Sequence, residues 1–319
     1  MRLVFCGTPQ FAVPSLKHLV AQPDIEIAAV ITQPDRPKGR GNEITFSPVK
    51  QTALDAKIPV HQPQKIRAPE FQPVLEALAP DAIVIIAYGQ IIPARLLPIP
   101  KLGWINLHAS LLPKYRGAAP ANWAIVNGET ISGLTTMRID AGMDTGEMLL
   151  QQEIPIGSTE TALELTSKMS EAGAPLMLAT LRGLAAGSLA GRAQNDAEAT
   201  MAPMLKKEDG RITWDLPSQT IFNRMRGFAP WPGATTTFRG QNCQLWGQAL
   251  AATEIVAGVG AGRPGTIVGV FWQGQPAWLV ICGDATLLQL HAVQLEGRKH
   301  ISASEFANGA RLTSGDHFV

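Results

Sequence analysis

Three polar side chains near the middle of the chain have the types and spacing to do chemistry. Asn106 and His108 stand in Asn106-Leu107-His108-Ala109-Ser110-Leu111-Leu112-Pro113, and Asp144 in Asp140-Ala141-Gly142-Met143-Asp144-Thr145-Gly146. An amide able to donate to a developing oxyanion, an imidazole and a carboxylate are the parts that moving a one-carbon acyl group from a carrier to an amine requires. Residues 103–108 read as a short strand, on which positions two apart share a face. Asn106 and His108 are therefore expected side by side, with Leu107 directed into the core. Taken singly, His108 reads as a hydrogen-bonded structural histidine and Asp144 as a turn or cap residue between Gly142 and Gly146. The combination is what carries the chemistry.

Such a set needs rigid elements to hold it. Arg2 to Cys6, a helical pattern through Phe11, Leu16, Leu19 and Val20, and Ile25 to Thr32 open the chain as a βαβ unit. Residues 81–87 are apolar without alternation, as in a parallel strand covered on both faces, and Leu134 to Ile139 and Met148 to Ile156 supply further strands. The fold class expected is α/β, a doubly wound and mostly parallel sheet. In such a sheet the ligand crevice lies beyond the carboxyl ends of the strands, where Gly7, Tyr88-Gly89 and His108 all fall. A long helix follows, signalled by Thr161 and Glu164, with an interruption expected near Gly173-Ala174-Pro175.

Residues 188–205 lose periodicity and read as a linker between a domain at 1–187 and a second at 206–319. Short apolar runs punctuated by glycine in the second domain suggest a small β-barrel. Gly260 to Gly265 matches G-x-G-x-x-G, but a strand-like run follows it and Pro264 occupies the place where a helix would begin, so it reads as a turn.

The 319 residues are 45% hydrophobic and 17% charged, enough to bury a sizeable core, and the net charge of +1 provides no global field for nucleic acid. Residues 200–319 carry 10 Lys+Arg against 8 Asp+Glu, so RNA contacts there would need cations gathered on one face. Three cysteines without CxxC spacing argue against disulfides and zinc, and no signal peptide or membrane-spanning run is legible. A cytoplasmic protein is expected. The loop Gln33 to Asn42 places three cations, Arg36, Lys38 and Arg40, within five residues at the rim of the expected crevice.

Together, Phe5-Cys6-Gly7-Thr8-Pro9, Gln33-Pro34-Asp35-Arg36-Pro37 with Gly39-Arg40-Gly41, Ala87-Tyr88-Gly89, Asn106 to Pro113 with Arg116-Gly117-Ala118-Ala119-Pro120, Asp144-Thr145-Gly146 and Trp231-Pro232 form a specific set. Over essentially its whole length the chain resembles the folate-dependent formyltransferase family, in particular its members that act on methionyl-tRNA. The resemblance implies a formyltransferase fold followed by an OB-like barrel that helps hold tRNA. It implies 10-formyltetrahydrofolate as donor and initiator methionyl-tRNA as acceptor, with no metal required; a monomer without a membrane partner is expected. Asn106, His108 and Asp144 would be catalytic. The folate would lie against Ala87, Tyr88, Gly89, Gln90, Ile91 and Ile92 and against Asp140, with Ser110, Leu111, Leu112 and Pro113 lining the passage to the acceptor. Arg40 matches the family's arginine that contacts the acceptor stem; to it are added, from their charge and position, Arg36 and Lys38 in the same loop and Lys206 and Lys207 just after the linker as expected tRNA contacts. Two rivals stay open. A formyltransferase for a nucleotide sugar would keep the three catalytic residues without needing the cationic loop, and a noncatalytic RNA-binding protein would need none of the three together.

Overall fold

The computed structural model describes residues 1–38, 43–250, 259, 262–313 and 315–319. They fall into two compact units, one of Met1–Pro120, Ile131–Pro155 and Glu164–Pro203, the other of Ala121–Thr130, Ile156–Leu163 and Met204–Val319.

The first unit is built on a sheet of seven strands. In chain order these are β1 (Arg2–Gly7) and β2 (Glu26–Ile31), then the short hairpin β3 (Arg36–Lys38) and β4 (Glu43–Thr45), which pair only with each other. β5 (Val60–His61), β6 (Ala82–Ile86), β7 (Trp104–His108), β8 (Ile131–Arg138) and β9 (Met148–Pro155) follow. The sheet order is β5-β2-β1-β6-β7-β8-β9. The first five strands pair in parallel, and β8 and β9 run antiparallel to their neighbours. From β1 the chain winds outward to β2 and then returns to β6 on the other side, which creates the crevice at the carboxyl ends of β1 and β6. β6 is buried at every position, as its unbroken Ala-Ile-Val-Ile-Ile run demands.

The helix Ala162–Ala185 is continuous through Pro175, contrary to the interruption expected from Gly173-Ala174-Pro175. Pro175 and Glu171, whose carbonyl loses its partner, are both exposed, so water can replace the missing bond. Leu165, Met169, Gly173, Met177 and Leu181 recur every fourth residue as its buried stripe. Gly173 is there because of strand β7: a Cβ on it would come within 2.4 Å of Leu107 Cδ2. Leu107, 3% exposed, is the core anchor between the two polar residues of its strand, and truncating it would cost about 2–5 kcal/mol.

The segment expected as a linker is fastened down from residue 192 to residue 202. Arg192 pairs with Met148, Tyr115 N–H donates to Thr200 Oγ1 at 2.9 Å, and Ala202 N–H donates to the Arg116 carbonyl at 2.7 Å. Its lack of periodicity reflects bonding to loops, which imposes no repeat.

In the second unit the strands are β10 (Thr235–Phe238), β11 (Gln241–Ala249), β12 (Ile267–Trp272), β13 (Gln275–Ile281), β14 (Leu287–Leu295) and β15 (Ile301–Ser302). They form an antiparallel sheet in the order β10-β11-β14-β13-β12, with β15 beside β14. The last four residues close it: Val319 exchanges backbone bonds with Thr237 on β10, while Phe318 and Asp316 bond Gly265 and Ile267 at β12. Closure satisfies both edge strands and makes the sheet barrel-like, as expected. The interior holds Trp214 stacked on Phe318 at 5.6 Å and Phe238 edge-on to Phe306 at 5.0 Å. Of the Gly260 to Gly265 motif, residues 262–265 are described, and they turn into β12 as expected, with Thr266 N–H donating to the Arg263 carbonyl at 3.1 Å and Gly265 at φ 89°.

Candidate functional site

Asn106 and His108 lie on one face at the end of β7, with Asn106 level with Ile85 and Met137 and His108 level with Thr135. Asp144 reaches them from the loop between β8 and β9, in the left-handed region at φ 54°, a conformation aspartate tolerates better than most residues. His108 Nδ1 and Asp144 Oδ2 are 3.7 Å apart, with side-chain exposures of 6% and 18%. The other ring nitrogen, Nε2, is 2.9 Å from the Tyr115 carbonyl. A carbonyl only accepts, so Nε2 carries a proton, and Nδ1 is the ring nitrogen that faces Asp144. That carboxylate is itself oriented by the Gly117 N–H, 2.9 Å from Oδ2. The Asn106 side chain is half-buried and has no hydrogen-bond partner among the described residues. The sequence placed Asn106 and His108 on one face without separating what each can do. The geometry divides them: Nε2 is engaged, Nδ1 can accept a proton beside a carboxylate, and the Asn106 amide is the free donor.

The loop after β6 is braced by the neighbouring strand ends. Gln33 Nε2 donates to the Tyr88 carbonyl at 3.0 Å, and Gln90 Oε1 accepts from Ile66 N–H at 2.6 Å. Within 87–92 the chain alternates outward and inward: Ala87, Gly89 and Ile91 are exposed, whereas Tyr88 and Ile92 join the core. The Tyr88 hydroxyl is buried without a partner among the described residues, and burial raises its pKa. The stretch 110–113 behaves likewise. Ser110 is fully buried with its hydroxyl donating to the Lys114 carbonyl at 2.6 Å, Leu112 packs against Met137 and Met148, and Leu111 and Pro113 are half-buried. Asp140 is exposed, and its Oδ1 accepts from Gly142 N–H and Thr145 Oγ1 at 3.0 and 2.8 Å. Cys6, at the end of β1, is fully buried, and burial raises its thiol pKa well above the usual range, which gives it a packing role.

Of the cationic residues, Arg36 is exposed at the start of the β3–β4 hairpin, where the sequence suggested only a loop. In it Arg36 falls in register with Thr45 and Lys38 with Glu43. Arg40 lies outside the described residues. The root of the hairpin is tied by an ion pair between Lys50 and Asp35, with Gln62 donating to Asp35 Oδ1 at 2.9 Å. Lys206 and Lys207 are exposed in the second unit. A cleft of about 500 Å³ there is lined by Lys207 and Arg211 together with Glu208 and Glu296, so cations are not segregated at that place.

Sequence reasoning missed the residues that hold the site together: the Tyr115 carbonyl, the Gly117 N–H, Arg116 and Gln194. Backbone groups leave no residue signature, and Gln194 sits in the aperiodic stretch. Among the described residues no cluster of histidine, cysteine or acidic side chains could hold a metal, and no helix is long and apolar enough to cross a membrane.

Residues 1–181 match the family model for formyl transferase and residues 204–311 the model for the formyl transferase C-terminal domain. Over 316 residues the chain is 50% identical to the methionyl-tRNA formyltransferase of Solibacter usitatus, covering 99% of this chain and 98% of that protein. It is 51% identical over 318 residues to the methionyl-tRNA formyltransferase of Koribacter versatilis, with the same coverage. A solved sugar 3N-formyl transferase, crystallised with dTDP and 5-N-formyl-THF, superposes with a TM-score of 0.64 at 19% identity, covering 94% of this chain and 99% of that one.

Proposed function

The chain belongs to the formyl transferase family, and from that premise we propose that it moves the formyl group of 10-formyltetrahydrofolate to the α-amine of methionine esterified to initiator tRNA. Among the known proteins, those acting on methionyl-tRNA share about half of its residues over almost its full length, while the sugar formyltransferase shares under a fifth. The observation that carries the chemistry is the buried His108 Nδ1 facing Asp144 at 3.7 Å, on the same strand face as an Asn106 amide without a partner among the described residues.

The reaction needs three things of the protein. An α-amine with a pKa of about 7.7–8.0 is largely protonated at neutral pH, so it must give up a proton to attack. As its lone pair adds to the formyl carbon, the carbonyl pair moves to oxygen, and the Asn106 amide donates to that oxyanion, a contribution on the order of 10²–10³ in rate. His108 Nδ1 takes the proton from nitrogen, and Asp144 stabilises the imidazolium so formed. The intermediate collapses when the C–N bond to the folate breaks, and the proton passes to the leaving folate nitrogen. Counted from the ammonium form, the first proton leaves to solvent before attack and the second travels through His108 to the folate nitrogen, so the transfer releases one proton overall.

Folate reaches this point over Ala87, Gly89, Gln90 and Ile91, the accessible members of their loop, with Tyr88 and Ile92 acting as its buried anchors. Asp140, Leu111 and Pro113 border the same end of the sheet, with Ser110 and Leu112 supporting them from below. We assign tRNA contact to Arg36, Lys38, Arg40, Lys206 and Lys207, action as a monomer, and a cytoplasmic location, where charged tRNA and reduced folate coexist. The test is formyl transfer to charged initiator tRNA, beside charged elongator methionyl-tRNA and a dTDP-amino sugar. Preference for the amino sugar would replace this reading with the sugar one, and equal use of both tRNAs would remove the initiator assignment.

A further inference from the structure

Residues 192–202, which bond across the site loops, reach the Asp144 turn through the Gln194 side chain. Arg116 is 7% exposed, and its Nε and Nη2 both donate to Gln194 Oε1, at 3.0 and 2.8 Å. Nη2 also meets Asp196 Oδ1 at 2.7 Å. With its oxygen held by a guanidinium, Gln194 can point only its NH₂ the other way, which settles the amide orientation. That NH₂ donates to the carbonyls of Asp144 and Gly146, each at 2.8 Å. The turn that puts Asp144 at φ 54° is therefore clamped by one amide.

The residues on either side of Arg116 hold the pair itself. Tyr115 supplies the carbonyl that receives His108 Nε2–H, and Gly117 supplies the N–H that orients Asp144 Oδ2. We infer that Gln194, locked by Arg116, is a positioning residue for the reaction, setting the aim of the Asp144 carboxylate at His108 Nδ1. This rests on the reading of the three polar residues given above. Neither Gln194 nor Arg116 needs to touch substrate: without the clamp the carboxylate would have more than one orientation, and small misplacements of a reacting group cost up to about 10² in rate.

The test is single-turnover formyl transfer by the full-length protein with saturating 10-formyltetrahydrofolate and charged initiator tRNA. Gln194→Met keeps the length of the side chain and removes both donors. It should lower the rate constant 10- to 100-fold with the KM for folate changed less than threefold. Made in an Asp144→Asn background, the same substitution should cost less than threefold, because there is no longer a carboxylate to aim. A merely structural role predicts the same factor in both backgrounds, and that result, or a loss confined to KM, overturns the inference. Gln194→Glu retains the acceptor for Arg116, and with it the fold, but sets carboxylate oxygens against two carbonyls. It should lose at least as much as Gln194→Met, and unchanged turnover in this variant overturns the inference even if Gln194→Met does not fold. Wild-type protein that transfers no formyl group to methionyl-tRNA would instead refute the functional reading on which the inference rests.

Discussion

Asp144→Asn is the sharpest test of how the proton is handled. Two unit charges 3.7 Å apart attract by about 4.5 kcal/mol at an effective dielectric constant of about 20, suited to a pair of which neither member is more than 18% exposed. On the proposed route His108 gains its charge as Nδ1 takes the proton of the attacking amine, so the attraction acts along the reaction. An asparagine with its oxygen in the place of Oδ2 keeps only the dipolar part of that attraction. The expected loss is on the order of 10²–10³ in the rate of transfer, from 1.36 kcal/mol per factor of ten. Asparagine tolerates the left-handed backbone at this position and can still accept from Gly117 N–H, so the fold should persist. Rapid-quench measurement of formylmethionyl-tRNA under single-turnover conditions reads the step directly, with folate affinity measured in parallel. A rate within tenfold of wild type would mean that no imidazolium forms opposite Asp144, and the proton route would have to be redrawn.

Gly117 has φ 121° and would place a Cβ 2.6 Å from the Ala202 carbonyl oxygen, so Gly117→Ala should destabilise the first unit by roughly 1–3 kcal/mol and slow transfer through the displaced N–H to Asp144; calorimetry beside the transfer assay checks both, and unchanged melting would refute the steric argument. Burial lifts the thiols of Cys243 and Cys282 to about 12 and that of Cys6 further, so a thiol reagent at pH 8 should label none of the three in the folded protein and all three in denaturant. The Lys50 ammonium holds the Asp35 carboxyl below the usual carboxylate range. A depressed folded pKa means the pair's contribution is complete above the unfolded value of about 3.9 and disappears as pH falls through the lower folded one. Amide exchange at Arg36 should therefore accelerate below about pH 4 in wild type, and show no such acid onset in Asp35→Asn.

What was legible in the sequence is what periodicity and side-chain chemistry record. The unbroken apolar run at 82–86 announces a covered parallel strand, and the one-residue gap between Asn106 and His108 announces a shared face, because a strand repeats every two residues. Asp144 was readable as a candidate from its setting between glycines, but its partner was not. The 3.7 Å contact depends on β8 and β9 bringing a loop back beside β7, a long-range matter of register. Least legible was 192–202, since a segment whose bonds run to the carbonyls of Asp144, Gly146 and Arg116 has no need of a repeat and so resembles a linker. The same reasoning explains why alternate residues of 87–92 and 110–113 turned inward. A loop held rigid at a strand end needs anchors, and Tyr88, Ile92, Ser110 and Leu112 are the buried members of these two stretches while their neighbours are less buried. Aperiodic, polar and glycine-containing sequence beside a strand end is therefore ambiguous between slack and scaffold. Here the buried guanidinium of Arg116 decides it, because a charge 7% exposed requires fixed partners, and those partners are Gln194 and Asp196.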